Sequence, residues 1–155
     1  MNTVYRTWAW PADAARLADR LVADLPALAL DFKPISLERL EAELLRRFSD
    51  PAQLTAPEAR TWYEGVCAYF GQVMVRGWGK WAWSTKWDDT DPPEVMAPGE
   101  TDLEPLSPWE VVLRAVSSRT GAELITIWCR WDDAMMDRVA ESAEDADWEP
   151  YQDAD

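Results

Sequence analysis

The sequence predicts a single α+β domain in which four or five helices pack on a small antiparallel β-meander. Apolar residues recur at helical spacing in several segments, and in one segment large apolar residues alternate with polar ones. Proline or glycine separates most of these segments. A chain of 155 residues suits one domain with its own core. We assign residues 1–142 to this domain and residues 143–155 to an acidic tail that we expect to be mobile.

Two amphipathic helices are predicted in the N-terminal third of the chain. The first starts at Asp13 and ends before Pro26, because apolar residues follow one helical face between them. The second starts with Ser36 as its N-cap and closes at the Asp-Pro pair of residues 50–51.

A third helix is predicted to be the central one. Thr55 and Glu58 form a capping-box pattern at its start, and Gly77 is expected to provide a left-handed C-cap. Gly65 and Gly71 lie inside the helix, where each costs about 1 kcal/mol relative to alanine. Glycine in such a position usually allows a neighbouring element to approach closely, so we expect this helix to pack at the centre of the domain.

Four of the eleven tryptophans crowd into one short segment after this helix: Trp78, Trp81, Trp83 and Trp87. Three of them share one parity, while small and polar residues take the alternate positions. This is the period-2 pattern of a half-buried strand. Beyond an acidic turn, two further short strands are predicted at residues 94–97 and 103–106, and the three strands would form the meander.

The C-terminal half contains one clear helix and one ambiguous segment. Ser107 and Glu110 form a second capping box, with proline at the first helical position, and Gly121 is expected to end this helix. The apolar spacing of residues 122–139 fits a helix, although the start of this segment has strong β propensity. We favour the helix because its spacing holds to the end of the segment.

Four short motifs occur in a fixed order along the chain: LDFKPISL at 30–37, YFGQV at 69–73, GWGKWAW at 77–83 and LSP at 106–108. In this order they resemble motifs of a broad group of small bacterial domains of unknown function, some of them similar to immunity proteins of toxin systems. The resemblance spans residues 28–118, and it departs from the group's pattern at Gln72 and Trp109. The motifs are caps, glycines and a strand, so the resemblance implies a fold and no catalytic residues.

The residue types present argue against the commonest forms of catalysis. The chain has no histidine, which removes the usual general base, and two distant cysteines, Cys67 and Cys129, do not make a zinc site. We therefore predict a protein that is not an enzyme and that holds no metal and no cofactor. A pair of carboxylates acting as in glycosidases stays open, since only geometry would identify such a pair.

The net charge of −14 is unevenly distributed. From residue 132 to the end, ten acids face a single base. Such a charge opposes binding to nucleic acid and to anionic membranes, and it favours a basic protein partner. No apolar run approaches the roughly 20 residues that span a bilayer, and the first residues lack a signal-peptide pattern. A cytoplasmic location is therefore expected.

The predicted function is that of a non-catalytic cytosolic protein-binding domain, similar to an immunity protein or an adaptor. Its candidate surface combines aromatic anchors with an acidic rim: Trp78, Trp81, Trp83, Trp87, Asp88, Asp89 and Asp91. Two alternatives stay open. The tryptophan strand could simply be the core face of the sheet, or it could stack on a small molecule or carbohydrate in an accessory domain.

Overall fold

The structure, a computed structural model, describes residues 11–82, 92–99 and 101–147, with the helical backbone alone for residues 145–147. Within these ranges six helices and two strands follow one another: α1 (Ala12–Asp24), α2 (Ser36–Arg47), α3 (Pro51–Leu54), α4 (Arg60–Gly77), β1 (Lys80–Ala82), β2 (Glu94–Met96), α5 (Pro108–Ser118) and α6 (Glu123–Asp147). Single 3-10 turns lie at Pro26–Leu28 and Pro57–Ala59. The predicted α+β class is confirmed, with helices dominating.

Helix α4 is the centre of the domain, as the sequence predicted. It packs against α1, α5, α6 and both strands, and every residue from 65 to 71 is buried. Because it is covered from several sides, α4 is apolar around most of its circumference. It therefore lacks the single apolar stripe that α1 and α2 present to the core.

The sheet is smaller than the predicted meander. Strands β1 and β2 pair antiparallel, with Trp81 opposite Val95. In the described part of the chain, the predicted third strand at residues 103–106 is present only as one antiparallel bridge between Leu106 and Val95. The next hydrogen-bonded pair of this ladder towards α5 would be Pro93 with Pro108, and neither residue has an N–H to donate, so the bridge does not extend in that direction.

The connection between α2 and α4 contains a short helix that the sequence analysis missed. Asp50 caps α3 by accepting a hydrogen bond from the backbone N–H of Ala52 at 2.7 Å, so the Asp-Pro pair opens a helix instead of only closing one. Thr55 ends α3, and its hydroxyl lies 3.4 Å from the Pro51 carbonyl oxygen. The predicted capping box at Thr55 is therefore wrong, and α4 begins later, at Arg60.

Helix α5 starts as predicted and ends earlier. The Ser107 hydroxyl oxygen accepts a hydrogen bond from the backbone N–H of Glu110 at 3.4 Å. The helix ends at Ser118, because Arg119 adopts the left-handed conformation with φ 55°. Gly121, the predicted end, lies in the following turn with φ 78°.

The ambiguous segment at residues 122–139 is helical. It belongs to α6, whose first turn is held by a carboxylate from α2. Glu41 is fully buried and accepts hydrogen bonds from the backbone N–H groups of Glu123 at 3.0 Å and Leu124 at 2.9 Å. These bonds offset the hydration that the carboxylate loses, and they provide acceptors for two N–H groups that a helix start leaves unpaired. The contact fixes α6 against α2.

The C-terminal part of α6 extends away from the core. Among the described side chains of this helix Met135 is the last buried one, and residues 136–144 are exposed apart from the half-buried Arg138. Because the helix continues to Asp147, the first residues of the predicted tail are helical. The mobility of the tail stays a prediction, and residues 148–155 lie outside the described part of the chain.

Candidate functional site

The motif before α2 is tied to the motif on α4 by a short chain of hydrogen bonds. The Tyr69 hydroxyl accepts a hydrogen bond from the Phe32 backbone N–H at 2.9 Å and lies 2.6 Å from the Ser36 hydroxyl. Ser36 donates to the Lys33 carbonyl oxygen at 2.6 Å, so Tyr69 is the donor to Ser36. Ser36 is therefore the first residue inside α2 and not its N-cap, because its hydroxyl is used in this network.

Phe32 is held in a conformation that is unfavourable for a bulky residue. Its φ is 61°, in the left-handed region. Its ring stacks on Tyr69 with centroids 4.7 Å apart, and the Arg76 guanidinium lies 3.8 Å from the same ring. Burial raises the pKa of the Tyr69 hydroxyl, against the smaller lowering effect of its bonds with Ser36 and Phe32. The hydroxyl therefore stays protonated at neutral pH and keeps its bond to Ser36.

Trp81, the tryptophan of β1, packs directly on α4. A Cβ atom added at Gly71 would lie only 2.0 Å from Cη2 of Trp81, so the indole ring occupies the space that a larger residue would need. The indole N–H donates to the Gln72 side-chain oxygen at 2.8 Å. The close approach predicted at Gly71 is thus confirmed, and the tryptophan strand is the element that approaches.

Trp78 connects the tryptophan segment to α6. It follows Gly77, which is the last residue of α4 and does not have a positive φ, so the left-handed C-cap predicted at that glycine is not formed. Its indole N–H donates to the Asp132 carboxylate at 2.8 Å, across 54 residues of sequence. The bond places a half-buried tryptophan beside the start of the most acidic part of the chain.

The structure describes two of the seven predicted site residues. Trp78 and Trp81 are both half-buried, and each indole N–H is hydrogen-bonded within the chain, one to α6 and the other to α4. Their indole N–H groups therefore have partners on different helices, and the predicted binding surface stays a prediction. The other five lie outside the described residues: Trp83, Trp87, Asp88, Asp89 and Asp91.

The sequence analysis assigned many of the acidic residues to a tail and did not predict that several of them lie on a helix. Residues 132–147 are helical and contain seven acids and one base. Four of the acids follow one flank of α6, at helical spacings of four, four and three residues: Asp133, Asp137, Glu141 and Glu144. That spacing is visible in the sequence and could have identified an acidic helical flank.

A separate groove of about 520 Å³ lies beside Trp62, between the end of α2 and the start of α4. Phe48 packs at a tilt against the Trp62 ring with centroids 5.2 Å apart, and the Arg47 guanidinium lies 5.1 Å from the ring centre. The indole N–H of Trp62 is buried and makes no hydrogen bond to the described residues. The groove presents a mostly apolar wall with a cation at its edge.

Among residues 11–82, 92–99 and 101–147, no group of three or more Cys, Asp or Glu side chains is placed to hold a metal ion. Cys67 is buried, and desolvation raises the pKa of its thiol well above the usual value, whereas Cys129 is exposed. In the same ranges no helix is long and apolar enough to cross a membrane.

Comparisons with models of protein families, with curated proteins and with solved structures gave no match to this chain. The resemblance to immunity-like bacterial domains therefore stays a prediction. Three of its four motifs meet on α4 through Tyr69, Gly71 and Gln72, and this gives them a role in holding the fold together.

Proposed function

We propose that this chain is a non-catalytic cytosolic domain that binds a basic protein, as an immunity protein or an adaptor does. The observation that supports this most directly is the hydrogen bond between Trp78 and Asp132. It brings an aromatic side chain against α6, the helix that also carries the acidic flank on another of its faces. A large aromatic anchor beside a charged and solvated rim is the usual composition of a protein–protein interface.

The spacing of the acids favours long-range attraction. Residues four positions apart on a helix are separated by about 6 Å along its axis, which is less than the screening length of about 8 Å at physiological salt. The fields of Asp133, Asp137 and Glu141 therefore add. Such a surface speeds association with a basic partner and makes that association sensitive to salt.

Contacts with α4 and α6 would keep Trp78 and Trp81 ordered before binding. Trp81 is fixed by Gly71 and Gln72, and Trp78 by Asp132. A partner that meets an ordered segment loses less conformational entropy than one that must order it.

The test compares two charge reversals at exposed positions in the middle of helices. Asp137→Lys alters the acidic flank of α6, whereas Asp19→Lys makes the same change in charge on α1. Each variant and the native protein are immobilised, and proteins retained from an extract of the source cells at low salt are identified by mass spectrometry. We expect a basic protein that the native chain and Asp19→Lys retain and Asp137→Lys loses.

The proposal is wrong if no protein shows this difference between the two variants. Equal loss from both variant columns would mean that basic proteins are attracted only through net charge, and equal retention on all three columns would mean that the acidic flank attracts none of them. A low melting temperature of Asp137→Lys would point to folding as the cause, so thermal unfolding of both variants is measured alongside.

The groove beside Trp62 favours a second candidate function, the binding of a small molecule. Its volume of about 520 Å³ falls in the range of ligand pockets, and its aromatic wall suits a flat ring. Screening a library of small aromatic acids by thermal shift would test it. A stabilising compound should lose its effect in Trp62→Leu and keep it in Trp78→Leu.

A further inference from the structure

The free end of α6 carries an apolar stripe that the described residues leave uncovered. Met136 is 53% exposed and Val139 is 51% exposed, although both belong to a helix that is well packed one turn earlier. Ala140 and Ala143 complete the stripe and are also exposed. These four residues are spaced at i, i+3, i+4 and i+7, so they share one face of the helix.

The stripe lies next to both the core-facing side and the acidic flank of the same helix. Projected at 100° per residue, it falls between the core-facing side, which includes Trp131 and Met135, and the flank that includes Asp137 and Glu141. One turn earlier, Asp132 falls on this same face and is bonded to Trp78. The stripe therefore begins one turn after the residue of α6 that contacts Trp78.

We infer that this stripe is a docking surface for an amphipathic helix of the partner whose flanking residues are basic. The inference rests on the proposed function and specifies the kind of segment that is bound. From Met136 to Ala143 the stripe rises about 10 Å, which matches two turns of a partner helix. Apolar residues of that helix would cover the stripe, and its Lys or Arg residues would meet the acids beside it.

Charge decides between this occupant and a second copy of the chain. Two copies of α6 packed face to face would bring together helical segments that each contain seven acids and one base. Like charges at this density oppose pairing, whereas a basic helix removes the repulsion. The same partner would stabilise the helix itself, because about three turns without a packed face are only marginally stable in water.

The probes are two synthetic peptides of the same Leu and Lys composition and a length of about 15 residues. In one peptide the leucines are spaced to form an apolar helical face, and in the other the order is scrambled. Binding of each fluorescein-labelled peptide to the full chain is measured by fluorescence anisotropy at physiological salt. Because the two peptides have equal charge, the ratio of their affinities isolates the contribution of the apolar face.

The native chain is expected to bind the amphipathic peptide about tenfold more tightly than the scrambled one, as burial of one or two apolar side chains would give. Val139→Ser should reduce this ratio to near one. Ile35→Ser is the matched control, since Ile35 is also β-branched and is 53% exposed in the turn before α2, away from α6. It should leave the ratio unchanged.

A native ratio near one would overturn the inference, as would a Val139→Ser variant that keeps the preference or an Ile35→Ser variant that loses it. Asp137→Lys separates this inference from the proposed function. If it weakens both peptides while the native ratio is near one, the acidic flank binds basic segments and only the stripe is wrong. If it weakens neither peptide, the acidic recognition on which the proposal depends is absent.

Discussion

The contact between Gly71 and Trp81 allows a quantitative test of how the tryptophan strand is held. In Gly71→Ala the new Cβ would lie 2.0 Å from Cη2 and 2.3 Å from Cζ2 of Trp81, so the ring must move away by about 1.5 Å to reach normal contact. Overpacking of this kind costs about 1–3 kcal/mol. Loss of the hydrogen bond between Trp81 and Gln72 adds about 1 kcal/mol, and the better helix propensity of alanine returns about 1 kcal/mol.

The expected result is a decrease of roughly 1–3 kcal/mol in the free energy of unfolding of Gly71→Ala. In a Trp81→Ala background the same substitution should instead be stabilising, by roughly 0.5–1 kcal/mol, since the obstructing ring is gone. Urea unfolding of the four proteins of this cycle gives the coupling energy. Near-UV circular dichroism reports whether Trp81 has left its position.

Gly65→Ala is the control on the same helix. Its Cβ would meet Leu21 at 3.5 Å, an ordinary contact, so this variant should be as stable as the native protein or more stable. If Gly71→Ala is equally destabilising with and without Trp81, the ring is not what the glycine accommodates. The packing described for β1 on α4 would then be wrong.

Three further predictions concern ionisable groups. Glu41→Ala should lower the free energy of unfolding by roughly 2–5 kcal/mol, because it leaves the N–H groups at the start of α6 unpaired. Glu41→Gln should cost less, because an amide oxygen still accepts a hydrogen bond. Equal losses of stability for the two variants in urea unfolding would contradict this. Under native conditions a thiol-reactive dye should label Cys129, and it should label Cys67 only after unfolding. Cys67 is buried, and its raised pKa keeps the thiol protonated. Rapid labelling of both cysteines would count against the packing described for α4. Hydrogen bonds from Arg46, which has the larger effect, and from Arg47 lower the pKa of Glu43 from 4.5 to about 2. A carboxylate whose pKa is lowered on folding stabilises the fold above its unfolded pKa and loses this effect as the pH falls. The difference in free energy of unfolding between the native chain and Glu43→Gln should therefore be full at neutral pH and shrink between pH 4.5 and about 2. A difference that does not depend on pH would refute the assignment.

Predictions that depended on residues close together in the sequence were confirmed more often than predictions that depended on distant residues. Ser107 and Glu110 are three residues apart, so their cap could be recognised from the sequence, and it forms. The cap predicted at Ser36 failed because the hydroxyl bonds to Lys33 and Tyr69, and the second of these partners is 33 residues away. Local patterns cannot show that a distant side chain competes for a donor or acceptor.

The candidate site shows the same division. The sequence identified a tryptophan-rich segment and an acidic C-terminal region, and it treated them as separate features. The bond between Trp78 and Asp132 joins them, and it depends on how α6 crosses the end of α4. No spacing in the sequence specifies that crossing.

The sequence by itself determined the class of the fold, the central position of α4 and the concentration of acids towards the C-terminus, because each depends on composition or on periodicity within one segment. Only the tertiary structure decided where those segments meet. The buried Glu41 supports the start of α6 from 82 residues away, and Gly71 admits the ring of Trp81. Such contacts are selected by the geometry of the packed core, in which a buried polar group needs a partner and a small residue leaves space for a large one.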